Sequence, residues 1–191
     1  MHAQTDTAGD TVAEALIDYR RRWPGEAGVV TMFEELLAAR DDTPASNPFM
    51  RERLAGHLTA SSWLVDRSGH RVLLTHHRKL DRWLQLGGHA DGDIDLARVA
   101  LREAEEESGI DGLALEGGLF DLDRHWIPER GDVPGHWHYD ARYVVRAGAS
   151  EDFVVSAESL DLAWRDIEAI AEDPEADASL RRMARKWLRP A

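Results

Sequence analysis

Cysteine is absent from this chain of 191 residues. Its absence excludes disulfides, thiolate nucleophiles and zinc sites built from cysteine. The sequence also lacks an apolar run long enough to cross a bilayer. Its first twenty residues are polar and acidic, without the apolar stretch of a signal peptide. We therefore expect a protein of the reducing cytoplasm that has no membrane partner.

Positive charge is scarce, because 23 lysine and arginine residues stand against 36 aspartate and glutamate residues, for a net charge of −13. Nucleic-acid polymers bind to positive surfaces that displace their counterions, so this composition opposes such a partner. A small phosphorylated substrate stays open, since a bound divalent metal can reverse the local field of an acidic cleft. Hydrophobic residues make up 43% of the chain, enough for a sizeable core.

The predicted organisation has three parts, which are a helical extension over residues 1–50, a main domain over 55–175 and a carboxy-terminal helix over 176–191. Apolar spacing predicts two helices in the extension, over 11–23 and 29–40, and this pair could form a homodimer interface. Strands are predicted at 58–65, 71–75, 83–86, 113–121, 136–146 and 153–156, and further helices at 94–108, 162–172 and 180–188. This order predicts the α/β class, with a mixed β-sheet between helices.

The predicted helix over 94–108 places three carboxylates at i, i+3 and i+4. Glu103, Glu106 and Glu107 continue its apolar stripe, with Glu106 at its margin, whereas Glu105 points the opposite way. Like charges at these spacings cost roughly 0.2–0.5 kcal/mol per pair, and carboxylates near a helix carboxyl end oppose the macrodipole by about 0.3–1 kcal/mol each. A divalent cation would offset both costs, because Mg²⁺ takes oxygen ligands. From this helix alone, a solvated acidic face remains an equal alternative.

A pair of glycines, Gly87 and Gly88, follows a predicted strand and precedes this helix. Paired glycines allow a sharp turn that brings backbone carbonyls or amides close to a ligand. Such pairs are common in turns, so the signal is weak alone. The combination of strand, glycine loop and helix with clustered glutamates is much rarer and favours a metal-assisted phosphate site.

These residues resemble the box of the Nudix (MutT-like) hydrolase family, which is Gly, five residues, Glu, seven residues, then Arg-Glu-apolar-any-Glu-Glu-any-Gly-apolar. Residues 102–110 are Arg-Glu-Ala-Glu-Glu-Glu-Ser-Gly-Ile and match every fixed position of the second half. Gly88 has the spacing of the opening glycine. One position departs, because Ile94 stands where the box has its first glutamate, and Asp93 is the candidate to substitute for it.

The resemblance implies an αβα sandwich and hydrolysis of a nucleoside diphosphate linked to another group, with Mg²⁺ as cofactor and Mn²⁺ as the alternative. It implies that Glu106 and Glu107 are the main metal ligands, assisted by the backbone carbonyl of Gly87. Glu103 would orient or deprotonate the attacking water or serve as a further ligand, and Arg102 would orient a glutamate of the box. The partner would be a small nucleotide-type diphosphate.

Histidines form a second group of candidates. On a strand, His136, His138 and Asp140 share one face. The two histidines can contact substrate, bind a transition metal or be structural, and substrate contact and structure are the favoured readings. Residues 124–135 are predicted to form a loop over the substrate, with His125 and Arg130 as contacts.

Three weaker candidates complete the predicted site. His89 follows the glycine pair and is expected to face the substrate. The basic segment over residues 76–79 could bind a distal phosphate, although a solvated turn fits it equally well. Glu158 is a guess for a later acidic ligand or base.

Two other functions are weighed against hydrolysis. An isopentenyl-diphosphate isomerase resembles this box and also uses histidines for a metal, but it needs an active-site cysteine, which this chain lacks. A non-catalytic module that senses a nucleotide commonly loses box glutamates, whereas Glu103, Glu106 and Glu107 are all present. Hydrolysis is therefore favoured over both alternatives.

Overall fold

The computed structural model describes residues 7–39, 43–77, 81–155 and 159–189, with side chains from residue 12 onward and without that of Ser159. Within these ranges, every helix is too short or too polar to cross a membrane. The described parts of the chain form two compact units. One comprises Met1–Ala60, Gly88–Val99 and Gly118–Arg142, and the other comprises Ser61–Gly87, Ala100–Gly117 and Tyr143–Ala191.

The amino-terminal extension is the predicted pair of helices. Helix α1 is Thr7–Arg22, a short 3₁₀ turn is Pro24–Glu26, and helix α2 is Ala27–Ala38. Proline suits the first turn of a helix because its missing N–H would be unpaired there in any case, which explains the break between the helices. Helix α1 begins four residues before the predicted start at residue 11.

The main domain combines one sheet with three further helices. Its helices are α3, Leu96–Ser108; α4, Ile167–Glu172; and α5, Ala178–Trp187. Its strands are β1, His57–Val65; β2, Arg71–His77; β3, Arg82–Leu84; β4, Leu86–His89; β5, Ala114–Ile127; β6, His136–Arg146; and β7, Ser159–Asp166. The seven strands form one sheet of order β3-β2-β1-β6-β5, in which β4 pairs with β1 and β7 with β2. The predicted fold class is confirmed.

Strand β7 corrects the prediction at the carboxy-terminal side. Residues 162–166 were expected to begin a helix, but they pair antiparallel with β2, in a register from Arg71 opposite Asp166 to His77 opposite Ser159. The helix starts only after Asp166, whose carboxylate accepts a hydrogen bond from the amide of Ala169 at 2.8 Å and so caps α4. The strand expected over 153–156 is also wrong, because residues 153–155 have no regular structure.

Two predicted loops are strands instead. Residues 124–127, expected at the start of a loop, extend β5, so that His125 stands on a strand. Gly87 and Gly88 lie in β4, and neither has a positive φ angle. The glycine pair is therefore extended backbone and not the sharp turn that its composition predicted.

Each unit has its own buried centre. In the unit that contains β2, the core consists of Leu64, Leu73, Leu86, Ala104, Ile110, Leu113, Val145, Ala147 and Leu162. In the other unit, the buried guanidinium of Arg142 contacts three carboxylates, with 2.7 Å from Nε to Asp140, 3.1 Å from Nη1 to Asp121 and 3.2 Å from Nη2 to Asp123. Only 2% of the Arg142 side chain is exposed, so its charge depends on these partners for compensation.

Replacement of Arg142 by leucine is expected to lower the free energy of unfolding by about 3–5 kcal/mol, because it leaves buried carboxylates without a cation. Urea unfolding measures the loss. Arg21→Leu is the matched control, since Arg21 is exposed and forms an ion pair with the exposed Asp18 one turn away, and its cost is expected to stay below about 0.5 kcal/mol. Equal losses in the two variants would contradict this account of the buried arginine.

Candidate functional site

The start of α3 is built from two aspartates. The carboxylate of Asp95 accepts from the amide of Arg98 at 3.0 Å and caps the helix. Asp93 accepts from the amide of Asp95 at 3.0 Å and pairs with the Arg98 guanidinium at 2.7 Å. Ile94, at the place of the first box glutamate, is 41% exposed. The residue expected to substitute for that glutamate is thus engaged in holding the start of the helix.

The glutamates of α3 differ in burial. Glu103 and Glu107 are half-buried, whereas Glu105 and Glu106 are exposed. The outward direction of Glu105 is as predicted. Glu106 departs from the expectation that it would extend the buried stripe. At about 100° per residue it lies at the margin of that stripe, so its carboxylate is open to solvent.

Contacts of two glutamates connect them to other box residues. The amide of Gly87 on β4 donates a hydrogen bond of 3.0 Å to the Glu107 carboxylate. The Arg102 guanidinium donates to Glu103 at 3.1 Å, and the Glu103 side chain is only 18% exposed. The structure therefore places the amide of Gly87 beside Glu107, whereas the resemblance implies a role for its carbonyl, and it places Arg102 beside Glu103.

Gly109 occupies the second glycine position of the box, and its backbone conformation shows why glycine is suited to it. It ends α3 with a φ of +67°, a conformation that side-chain-bearing residues rarely adopt. A Cβ at this position would also approach Val154 to 3.3 Å. Beside it, Ser108 is fully buried and accepts from the amide of Ile110 at 3.1 Å. These contacts end the helix directly after its glutamates.

Five histidines on β1, β4, β5 and β6 form a cluster. His57, His89 and His138 each offer one ring nitrogen within 4.8 Å of the others, and no other set of three or more candidate metal ligands at this spacing occurs in the described ranges, the box glutamates included. The ring centroid of His138 lies 4.9 Å from that of His57, 5.1 Å from that of His89, 5.0 Å from that of His136 and 5.6 Å from that of His125. Five of the nine histidines of the chain are thus packed together.

His57 is the member of this cluster that the sequence did not indicate. It begins β1, far in the chain from the other four, and carries no motif around it. The predicted common face of His136 and His138 is confirmed, since their Nε2 atoms are 3.2 Å apart. His89 and His125, predicted independently, lie in the same cluster.

Backbone and side-chain oxygens orient several of these rings. Nδ1 of His136 donates to the carbonyl of Pro134 at 2.8 Å, and Nδ1 of His57 to that of Arg53 at 3.3 Å. Nδ1 of His125 lies 3.1 Å from the carboxylate of Asp123, which also contacts Arg142. Each of these contacts leaves Nε2 of the same ring for another partner.

Burial favours the neutral form of three of these imidazoles, those of His57, His89 and His138. It lowers the pKa of His57 to about 4 and that of His138 to about 2, in each case assisted by neighbouring histidines. The pKa of His89 is lowered by burial and by the charge of Arg51. Neutral imidazole is the form that binds a metal ion or accepts a hydrogen bond.

Other predicted residues lie elsewhere. Arg130 is exposed and its backbone pairs with Val133. His76 contacts Asp81 at 2.9 Å and stacks on Trp83, which suits the alternative of a surface turn. Arg78, Lys79 and Glu158 fall outside the described residues.

A family model described as the NUDIX domain matches residues 56–187, more than half of the chain. The chain belongs to the Nudix family. Its class of activity is that of a hydrolase acting on acid anhydrides. The match covers β1 to α5, including the box on α3. No curated protein matches the chain significantly.

Solved structures show the same fold at low identity. The MutT protein from Methanosarcina mazei Go1 has 18% identity and a TM-score of 0.54, and the match covers 69% of this chain and 92% of that one. A C. elegans Ap4A hydrolase in a binary complex has 18% identity and a TM-score of 0.53, over 68% and 93% of the chains. A MutT Nudix hydrolase from Burkholderia pseudomallei has 23% identity and a TM-score of 0.52, over 69% and 97%.

Stability of the chelator-treated protein is expected to fall as the pH is lowered from about 6.5 to about 4. In this window His57 and His138 bind protons in the unfolded chain but not in the folded protein, because their folded pKa values lie below 6.5. Above it, both states are neutral and the contribution is fully present. Denaturant unfolding at several pH values measures the slope.

The His57→Asn variant, which keeps a donor toward Arg53 but does not titrate, is expected to flatten this slope. His70→Asn is the matched control, since His70 is exposed and its loss should leave the slope unchanged. An identical slope in the His57 variant would refute the assignment of this pH dependence to the buried cluster.

Proposed function

We propose that this Nudix protein is a Mg²⁺-dependent hydrolase that cleaves the diphosphate bond of a nucleoside diphosphate linked to another group. The observation that carries the proposal is the hydrogen bond from the amide of Gly87 to the carboxylate of Glu107. This bond joins the strand residue directly before the box to a glutamate on the box helix. The family match supports the same assignment. The three solved structures support the fold of this assignment.

The donor set fits magnesium. Glu106, Glu107 and Glu103 would hold the ion together with the carbonyl of Gly87, and all four groups offer the oxygen atoms that Mg²⁺ prefers. Mn²⁺ is the alternative because carboxylates and carbonyls suit it as well. Exposure of Glu106 leaves one carboxylate accessible from solvent, where a phosphate-bearing ligand arrives. When bound, the ion neutralises the diphosphate and lowers the pKa of a water ligand.

The protein's own groups orient the reaction. Glu103 either accepts a proton from the attacking water or serves as a further ligand, and its half-buried position beside Arg102 suits both roles. The guanidinium of Arg102 restricts the Glu103 carboxylate to one direction through a charge-assisted hydrogen bond. Glu107 is restricted in the same way by Gly87. Two carboxylates are thereby positioned before substrate binds, which reduces the ordering cost of the reaction.

The partner that we propose is a small nucleotide-type diphosphate and not a nucleic-acid polymer, in keeping with the net charge of −13. His125 and Arg130 remain proposed substrate contacts. For His89 and His138 a role as metal ligands is argued below, and for His136 a role in positioning His138. The cytoplasmic location, the division into an extension over 1–50, a domain over 55–175 and a helix over 176–191, and a homodimer through α1 and α2 also remain proposals.

Glu107→Gln is expected to lower magnesium-dependent hydrolysis by more than the roughly 10–100-fold that the loss of a residue supporting a metal ligand costs. Its fold should stay intact, because an amide can still accept from Gly87. Glu105→Gln on the same helix is the matched control, since Glu105 is exposed. A screen of diphosphate compounds, read by phosphate release after phosphatase coupling, measures activity and identifies the substrate.

Full activity of the purified, metal-titrated Glu107 variant would overturn the proposed mechanism. Equal losses in the Glu105 and Glu107 variants would show that the helix faces the substrate with its other side. Tight binding of a nucleotide without turnover would favour the sensing module instead.

A further inference from the structure

The histidine cluster has a donor set that differs from that of the Nudix box. We propose that His57, His89 and His138 form a binding site for a divalent transition-metal ion such as Zn²⁺, separate in its chemistry from the carboxylate site for magnesium. Imidazole nitrogen suits Zn²⁺, Ni²⁺, Cu²⁺ and Fe²⁺, whereas Mg²⁺ demands oxygen ligands. The inference stands whether or not the proposed hydrolysis is correct.

His57 provides the decisive observation. Its side chain is buried, and its Nε2 has no hydrogen-bond partner within the described structure. Because the carbonyl of Arg53 can only accept, the contact at Nδ1 places the proton there and the lone pair on Nε2. A buried acceptor without a partner costs about 1–3 kcal/mol, and a metal ion at this nitrogen would satisfy it.

The surrounding residues hold the ligands as metal sites do. Histidine ligands usually donate their second nitrogen to a carbonyl, a carboxylate or another acceptor, which fixes the ring. His57 does so through Arg53. His138 is held by His136, whose Nδ1 donates to Pro134. Nε2 of His136 therefore carries a lone pair and accepts from Nε2 of His138 at 3.2 Å, so His136 is a positioning residue.

The spacing of the ring nitrogens and the local charge permit an ion to bind between the three rings. Two nitrogens at about 2.0–2.1 Å from one tetrahedral zinc are about 3.3 Å apart, so ring nitrogens already within 4.8 Å need to close by no more than about 1.5 Å. The positive charge of Arg51, which would oppose a cation near His89, is paired with the carboxylate of Asp91. Three histidine ligands leave a fourth position for water or another ligand.

The test is metal binding to the intact, chelator-treated chain. Calorimetric titration with Zn²⁺ at pH 7.5 is expected to show one site at micromolar affinity or tighter, and Co²⁺ is expected to give the intense visible bands of tetrahedral nitrogen coordination. His138→Gln and His89→Gln should each weaken Zn²⁺ binding at least 100-fold. His136→Gln should weaken it about 10–100-fold, the usual loss for a residue that orients a ligand.

Two controls separate this site from others. His70→Gln removes an exposed histidine and should leave the affinity unchanged. Glu107→Gln removes a carboxylate of the box and should also leave it unchanged, while hydrolysis falls. Circular dichroism checks that each variant is folded, and a rise in melting temperature with Zn²⁺ in the wild type but not in His138→Gln gives an independent readout.

Two results would overturn the site. One is the absence of Zn²⁺ or Co²⁺ binding to the folded wild-type protein at micromolar concentration. The other is binding that survives in both His89→Gln and His138→Gln but is lost in Glu107→Gln, which would assign the ion to the carboxylates. Neither result would bear on hydrolysis with magnesium, which the substrate screen tests separately.

Discussion

The carboxylate of Glu107 is held half-buried by the amide of Gly87, and the candidate active site depends on this contact. A carboxylate on a helix has several rotamers, and fixing one of them costs side-chain entropy. The hydrogen bond from the Gly87 amide offsets part of that cost before any ligand is present. Gly87 itself lies in the extended strand β4 without a positive φ angle, so this contact uses ordinary strand backbone.

A different constraint shapes the histidine cluster. Burial disfavours the charged form of the His57 and His138 rings, so the pKa values of these two residues fall. The rings lie about 5 Å from one another, and their nitrogens need hydrogen-bond partners among the few acceptors nearby. Carbonyls of Arg53 and Pro134 take the Nδ1 protons. One ring nitrogen each of His57, His89 and His138 lies within 4.8 Å of the other two, and the proposed site for a metal ion of borderline softness rests on this spacing.

Prediction from the sequence succeeded where a local pattern carries the information. Strand β6 was predicted with its observed bounds, because alternation over eleven residues is a long signal. It failed over 162–166, where apolar spacing allowed both helix and strand and only the pairing with β2 decided. The prediction of a loop over 124–127 failed for the same reason, since the extension of β5 depends on its partner strand.

The sequence by itself determined the box, because Arg102, Glu103, Glu106 and Glu107 lie on one helix and their relative directions follow from 3.6 residues per turn. It also determined the shared face of His136 and His138 through the period of a strand. Only the tertiary structure brought His57 and His89 to that face. These positions depend on contacts between residues distant in the chain, which no periodicity within one segment encodes.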